Sequence, residues 1–397
     1  MSFFLRIGIV AFFLLATRFA LPGQSVTLGG YIKDMEGVYF FENALPLPGG
    51  KTISNTHYNL IHNRLNLKIY PIKNATVALE IRNRVFFGPL FSLVPGYANG
   101  LETDPGLVDL SWNLVEQKDW FFNTTIDRAF VDYTLGNWEI RIGRQRINWG
   151  INLVWNPNDL FNAFSFTDFD YEERPGSDAV LLTWYPTFSS SFDLACKAAK
   201  EEENRTLAAR YRFNLWNYDF QVLAGQTGYD YVVGGGWSGN IRDVSFRGEA
   251  SWFLPRESKK ELSDEALSAT VSFDYTTASS FYIHASFLYN SMGTISKGHG
   301  FSLLDPNQPI SAKKLSIGRY ELFGQLSYSI SPIVGASLAT LYNPVDYSMF
   351  VSPALTFSLH DVLELLLTSQ ILLGEQGTEY AAIGNAYTLF GRIRWSF

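Results

Sequence analysis

The sequence predicts an all-β fold: a closed antiparallel transmembrane β-barrel of about eighteen strands, with sixteen as the alternative count. Three observations predict it. Short segments of period-two alternation run through the chain, connections alternate between short and long, and the final strand ends on an aromatic residue. Composition agrees. With Tyr 21, Phe 32 and Trp 10 the chain is 16% aromatic, yet its mean hydropathy is -0.01. Rings facing lipid and polar groups facing a lumen average to such a value.

The elements follow in chain order. Residues 1–24 read as a signal peptide, with Arg6 before an apolar core from Ile7 to Ala16 and cleavage expected between residues 20 and 25. Residues 25–397 then form a single outer-membrane barrel domain. This domain has no apolar run near the roughly 20 residues that a membrane helix needs, so any crossing must be by strands.

Strands are predicted at 27–40, 57–70, 75–88, 121–134, 138–148, 176–185, 190–199, 205–215 and 218–227. Nine more follow at 230–237, 241–253, 267–275, 280–291, 317–329, 333–342, 347–358, 361–373 and 384–397. In the last, Tyr387, Leu389, Ile393, Trp395 and Phe397 oppose Thr388, Arg392, Arg394 and Ser396, an apolar face against a charged one. A soluble sandwich also alternates, so connection lengths decide. Those after most even-numbered strands are short, such as 71–74, 135–137 and 238–240. Those at 41–56, 89–120, 149–175, 254–266 and 292–316 are long. Short periplasmic turns and long outer loops are the division an outer-membrane barrel makes, which predicts the cell outer membrane as the location.

Other classes lose support. A net charge of -7 opposes nucleic-acid binding. The single Cys196 excludes an internal disulfide, the five histidines lack metal-ligand spacing, and no cofactor motif is present. His284 and Ser286 share a face but have no GxSxG context, so no enzyme is predicted. The acidic groups at Glu201–Glu203 and at Asp170, Glu172 and Glu173 read as solvated loop tips.

Periodicity breaks in one place. Trp138, Ile140 and Ile142 share a parity with Arg144 and Arg146, which would put two arginines on the greasy face. Either a bulge near Gly143 returns them to the lumen, or the strand has left the bilayer by Arg144. The same segment carries Gly143, Arg144 and Gln145, then Asn148, Trp149 and Gly150, then Asn156, Pro157, Asn158 and Asp159. This succession resembles Gram-negative outer-membrane proteins of the alginate-export and related uncharacterised porin-like barrel families. The terminal RIRWSF also resembles the C-terminal signature of outer-membrane barrels, which implies the barrel-assembly machinery as a partner through Phe397.

The candidate pore-lining or solute-binding residues are Arg64, Arg82, Arg84, Arg128, Asp132, Glu139, Arg141, Arg144, Arg146, Asn148, Arg392 and Arg394. Arginine offers a fixed fork of donors to carboxylate or phosphate, and pore charge tunes selectivity. The same side chains could instead satisfy one another across a crowded lumen. The first reading is a porin or substrate-selective channel for small polar or anionic solutes, its mouth narrowed by 89–120 and 149–175. The alternative is a closed or gated barrel serving polymer export or surface assembly through its loops. The partners expected are outer-membrane lipid, lipopolysaccharide and the solute.

Overall fold

The computed structural model describes residues 25–46, 52–94, 96–163, 176–259, 261–295 and 310–397. The predicted signal peptide, His299, and Asp170, Glu172 and Glu173 lie outside the described residues.

The strands in chain order are β1 (Ser25–Pro46), β2 (Thr52–Tyr70), β3 (Ala75–Phe87), β4 (Ser111–Glu116), β5 (Trp120–Leu135), β6 (Trp138–Gln145), β7 (Ser177–Thr187), β8 (Ser190–Lys197), β9 (Thr206–Leu215) and β10 (Tyr218–Thr227). They continue as β11 (Asp230–Ile241), β12 (Val244–Pro255), β13 (Ala266–Thr276), β14 (Phe281–Asn290), β15 (Tyr320–Ser331), β16 (Val334–Tyr342), β17 (Met349–His360), β18 (Leu363–Leu373) and β19 (Ala386–Ser396). All but β4 make a closed antiparallel ring of eighteen strands. Closure is by β1 on β19, with Tyr31 opposite Ser396 and Phe41 opposite Ala386. Phe397 adds a reciprocal pair: its N–H donates to the Gly30 carbonyl at 3.0 Å, and the Gly30 N–H donates to its carbonyl at 2.9 Å. No wall edge is left to face lipid.

At one end of the ring every turn has two to four residues, as between β5 and β6 or β13 and β14. At the other end lie the long connections, so the predicted asymmetry holds. One loop is corrected. The strands of the first hairpin run on to Pro46 and from Thr52, through most of the predicted 41–56 loop. The 89–120 connection also holds more structure than predicted: helices α1 (Leu90–Leu93) and α2 (Tyr97–Glu102), then β4.

β4 explains an irregularity of the wall. β5 pairs with β3 along its whole length, but its other edge is shared. Residues 129–135 pair with β6, while 121–125 pair with β4. β6 therefore leaves the wall at Gln145, and β4 takes the place above it.

Alternation sets two faces. Outward rings and aliphatics such as Trp138, Leu194, Trp252, Leu322, Leu389 and Trp395 stay exposed, forming the belt that lipid would cover. Inward residues fall into levels. Towards the long-loop end, Tyr39, Tyr58, Phe86, Phe121, Phe323 and Phe390 join α1's Phe91 in an apolar cluster inside the barrel. The alternation thus places rings as well as charges on the inward face. Below them stands a charged level.

Candidate functional site: the barrel lumen

The charged level begins on β2, β3 and β5. Arg64 and Arg82 oppose one another across β2 and β3. Both donate to Asp127, from Arg64 at 2.5 Å and from Arg82 at 2.8 Å, and Arg64 also reaches Glu80 at 2.5 Å. Asp127 is absent from the predicted set because regular alternation from Asp132 would turn it to lipid. A register shift between Glu80 and Ile81 leaves Asp127 and Arg128 together opposite Glu80, and so brings both inward. Arg128 donates to the Asp127 carbonyl at 2.8 Å, and Arg84 donates to the Asn123 side chain at 2.8 Å.

Further towards the short-turn end, Arg141 on β6 bridges its register partner Asp132 at 2.7 Å and Glu139 on its own strand at 2.9 Å. On the closing strand Arg392 pairs with Glu364 at 2.7 Å, and the Arg394 guanidinium lies 4.3 Å from the Tyr31 ring centre. Arg210 with Asp193 and Arg247 with Asp274 continue the pattern on β8–β9 and β12–β13. Arg64, Arg82, Arg141, Arg210, Arg247 and Arg392 thus each meet a carboxylate on their own strand, its neighbour or its next neighbour.

The predicted arginines thus divide. Arg64, Arg82, Arg128 and Arg392 are buried against partners, whereas Arg84, Arg141 and Arg394 keep part of their surface towards the lumen.

Arg144 requires correction, whereas Arg146 lies past the end of β6. β6 pairs without a register shift on both edges, so no bulge at Gly143 turns them inward. Arg144 keeps the outward parity of Ile142, opposite Ala129 and Asp178. It is nevertheless only 5% exposed. The approach to β4 covers it: Arg144 donates to Asp104 at 2.6 Å, to Asp178 at 2.7 Å and to the Val108 carbonyl at 2.6 Å. Val108, Leu110 and Trp112 pack beside it on the outward Leu79, Ile81 and Ile126. Arg144 clamps the β4 insertion and does not line the lumen. Arg146 and Asn148 lie past the strand end, on the segment that turns inward.

That segment, 146–163, crosses into the barrel and is held at several points. Glu249 of β12 accepts hydrogen bonds from three of its backbone N–H groups: Ile151, Asn152 at 2.7 Å and Asn158 at 3.0 Å. The Asn158 amide donates to the Gly235 carbonyl at 2.9 Å and its oxygen accepts from Ser251 at 2.7 Å. Gln221 donates to the Trp149 carbonyl at 2.7 Å, and Ser272 donates to the Asn152 side chain at 2.5 Å. Asn162 returns the segment to β7 by donating to Ser177 at 3.2 Å.

Trp149 is 1% exposed, with the Arg210 guanidinium 5.0 Å from its ring and Phe161 edge-on at 4.9 Å. The wall makes room with small inward residues, Ala179, Ala195 and Ala208. A Cβ on Gly234 would stand 2.5 Å from the Ser251 hydroxyl and 2.8 Å from the Asn158 oxygen. The NWG and NPND residues are therefore the docking surface of an inward segment, narrowing the lumen as predicted for 149–175, of which 164–175 lies outside the described residues.

At the long-loop rim, Glu379 accepts from the Ile317 N–H at 3.1 Å, the Gly318 N–H at 3.0 Å and the Asn343 amide at 2.8 Å, tying three loops together. Burial, then the Glu321 and Glu379 carboxylates, push the neighbouring Tyr380 hydroxyl well above its ordinary value. It remains a donor to Glu321 at 3.0 Å. Ser286 and His284 do meet, at 2.7 Å, but Asp274 opposite them is engaged by Arg247.

Solved structures share this architecture. OccK5 (OpdH) of Pseudomonas aeruginosa aligns with a TM-score of 0.59 at 8% identity over 94% of this chain and 98% of that one. OccK9 (OpdG) of the same organism gives 0.58 at 12% identity over 94% and 98%, and Acinetobacter baumannii OccAB4 gives 0.57 at 7% over 95% and 100%. At such identities the likeness is one of fold: a closed eighteen-stranded transmembrane barrel resembling outer-membrane porins. No family model matches the sequence, and no curated protein matches it.

Proposed function

We propose that the protein is an outer-membrane channel that passes small polar solutes, with anions preferred. The observation that carries this reading is the lateral pairing of the lumen charges. Wall arginines such as Arg64, Arg82, Arg141, Arg210 and Arg392 are answered by carboxylates on nearby strands, which keeps these pairs along the wall of the lumen. Arg84, Arg141 and Arg394 retain surface there, on the same side of the ring as the β1–β19 closure. The inward segment, held on β7–β13, narrows the passage from the other side and brings solute close to these guanidiniums. Likeness of fold to the Occ porins supports the reading.

The C-terminal strand ending at Phe397 is the element that the barrel-assembly machinery would read, and the long-loop end would meet lipopolysaccharide. One observation favours a second reading, a gated barrel serving export. The apolar cluster joins Trp155 of the inward segment to Phe323 on the wall, with ring centres 6.4 Å apart, and could shut the outer half.

Single-channel current of the refolded protein in a planar bilayer tests both. Steady ohmic steps whose reversal potential in a salt gradient reports anion preference are expected. Absence of steps from folded protein overturns the open channel and favours the gated barrel.

A further inference from the structure

The outward face of the barrel is not uniform. On every strand from β5 to β15 it carries at least one ring, and it is otherwise apolar at mid-height. On β1, β2 and β3 it changes. Outward parity there presents Asp34 and Glu36 of β1, then Asn55, His57, Asn59 and Asn63 of β2, then Asn83 of β3. β2 has no outward Phe, Tyr or Trp between Ile53 and Ile69.

This stripe lies within the membrane band. Asp34 is opposite Ile393 and Glu36 opposite Gly391, between the outward Trp395 and Tyr387 of the same strand. Leu28 and Ile32 lie on one side of the two carboxylates along β1, and Phe40 lies on the other. Internal bonds satisfy only part of the set. The Asn59 amide donates to both carboxylates, at 2.7 and 3.0 Å, and Asn83 donates to Asn63 at 3.2 Å. Asn55 and His57 make no side-chain hydrogen bond among the described residues, and they are exposed.

Hydrocarbon offers these groups no partner, and polar groups at such depth ordinarily face protein or water. Between the outward rings Phe40 of β1 and Phe87 of β3, β2 offers lipid no Phe, Tyr or Trp at all.

We propose that the β1–β3 stripe is the contact face of a homo-oligomer, with a second copy of this chain seated on it. The stripe is self-complementary, which is what selects a second copy. Its two carboxylates have more acceptor capacity than one amide fills, and the next strand offers unengaged amide and imidazole donors. Two copies inserted in the same sense and related by a two-fold axis along the bilayer normal meet at equal depths, so the polar band of one faces that of the other. Association then replaces lipid against polar groups by hydrogen bonds between them.

Three measurements on the full chain in lipid nanodiscs or isolated membranes test this. Native mass spectrometry is expected to return an integral multiple of the chain mass, and a single-chain mass overturns the proposal. In a Cys196→Ser background, Ile61→Cys in the stripe should form a disulfide-linked dimer on mild oxidation, whereas Ile283→Cys on β14 should not. Equal dimer yields at both sites, or cross-linking of Ile61→Cys only to a different protein, overturn it. Adding Asp34→Leu and Glu36→Leu should lower the Ile61→Cys dimer yield at least fivefold while the barrel keeps its heat-modifiable mobility. An unchanged yield overturns it, and if that variant fails to fold, the first two measurements still decide.

Discussion

The β1–β6 side of the lumen and the β7–β13 side solve opposite problems with the same strand geometry. On the first, long charged side chains fill the inward positions, and buried cations pair along the wall, as Arg64 and Arg82 do with Asp127. On the second, inward positions shrink to Ala195, Ala208 and Gly234, and the vacated volume takes a backbone segment. Charge on that side serves to hold a chain, with one carboxylate, Glu249, answering three N–H groups. A strand wall can therefore keep its charges by pairing neighbours, or spend its inner space on a constriction; here it does one on each side.

The largest expected effect comes from breaking the first side. Asp127→Ala leaves Arg64 and Arg82 buried against one another without their shared counter-charge, and should cost about 3–5 kcal/mol. Urea unfolding of the barrel in lipid vesicles would measure it, and a loss below about 1 kcal/mol would show that other groups neutralise the pair.

The matching break on the second side is Glu249→Ala. Three donors lose their acceptor, but a loosened segment lets water reach them, so the total cost should be about 2–4 kcal/mol. The segment should loosen, with faster hydrogen exchange at Ile151, Asn152 and Asn158 and larger or noisier conductance. Unchanged exchange at these amides would mean that the Asn158 and Gln221 bonds hold the segment alone.

Filling the vacated space should cost less. Gly234→Val places its side chain against Ser251 and Asn158, with a penalty of about 1–3 kcal/mol and a shifted segment. Arg141→Gln sharpens the comparison differently. Its side chain is 28% exposed, so stability should change by less than about 1 kcal/mol while anion preference falls, read as a smaller reversal potential.

The smallest effect belongs to a loop clip outside the wall. Hydrogen bonds from Lys259 and Arg256 hold the Glu202 carboxyl down to about 2. A lowered folded value means that the clip is fully present above the ordinary carboxylate range and is lost as pH falls towards 2. Glu202→Gln should raise proteolytic nicking near residues 198–205 slightly, and salt should mask the difference.

Much of the wall was legible in sequence because period two is imposed by the strand itself. Tyr387, Leu389 and Ile393 could be turned outward on that ground alone. Arg84, Arg141 and Arg394 could likewise be turned inward. The rings inside the barrel were also visible, since Tyr58 shares its parity with His62 and Arg64, but a charge-weighted reading of that face passed over them. Asp127 was hidden by a bulge, although two adjacent charged residues in an otherwise apolar strand are the local sign of one.

Arg144 could not be placed from its neighbours in sequence, since the residues that make an outward arginine tolerable, Asp104 and Val108, come from a loop some forty positions earlier. β4 was missed for a related reason: six residues become a strand only because β6 leaves an edge of β5 unfilled.

By itself, the sequence determined the closed barrel, its two unlike ends and the face of each regular strand, because these follow from backbone periodicity and from the exclusion of unpaired backbone from lipid; of the two strand counts it allowed, the structure decided for eighteen. Tertiary structure alone decided which arginine meets which carboxylate, that Glu249 holds the NPND segment, and that one outward sector is polar in register across three strands. Those outcomes depend on pairing between residues distant in the chain, and alternation within a strand carries no record of its neighbours.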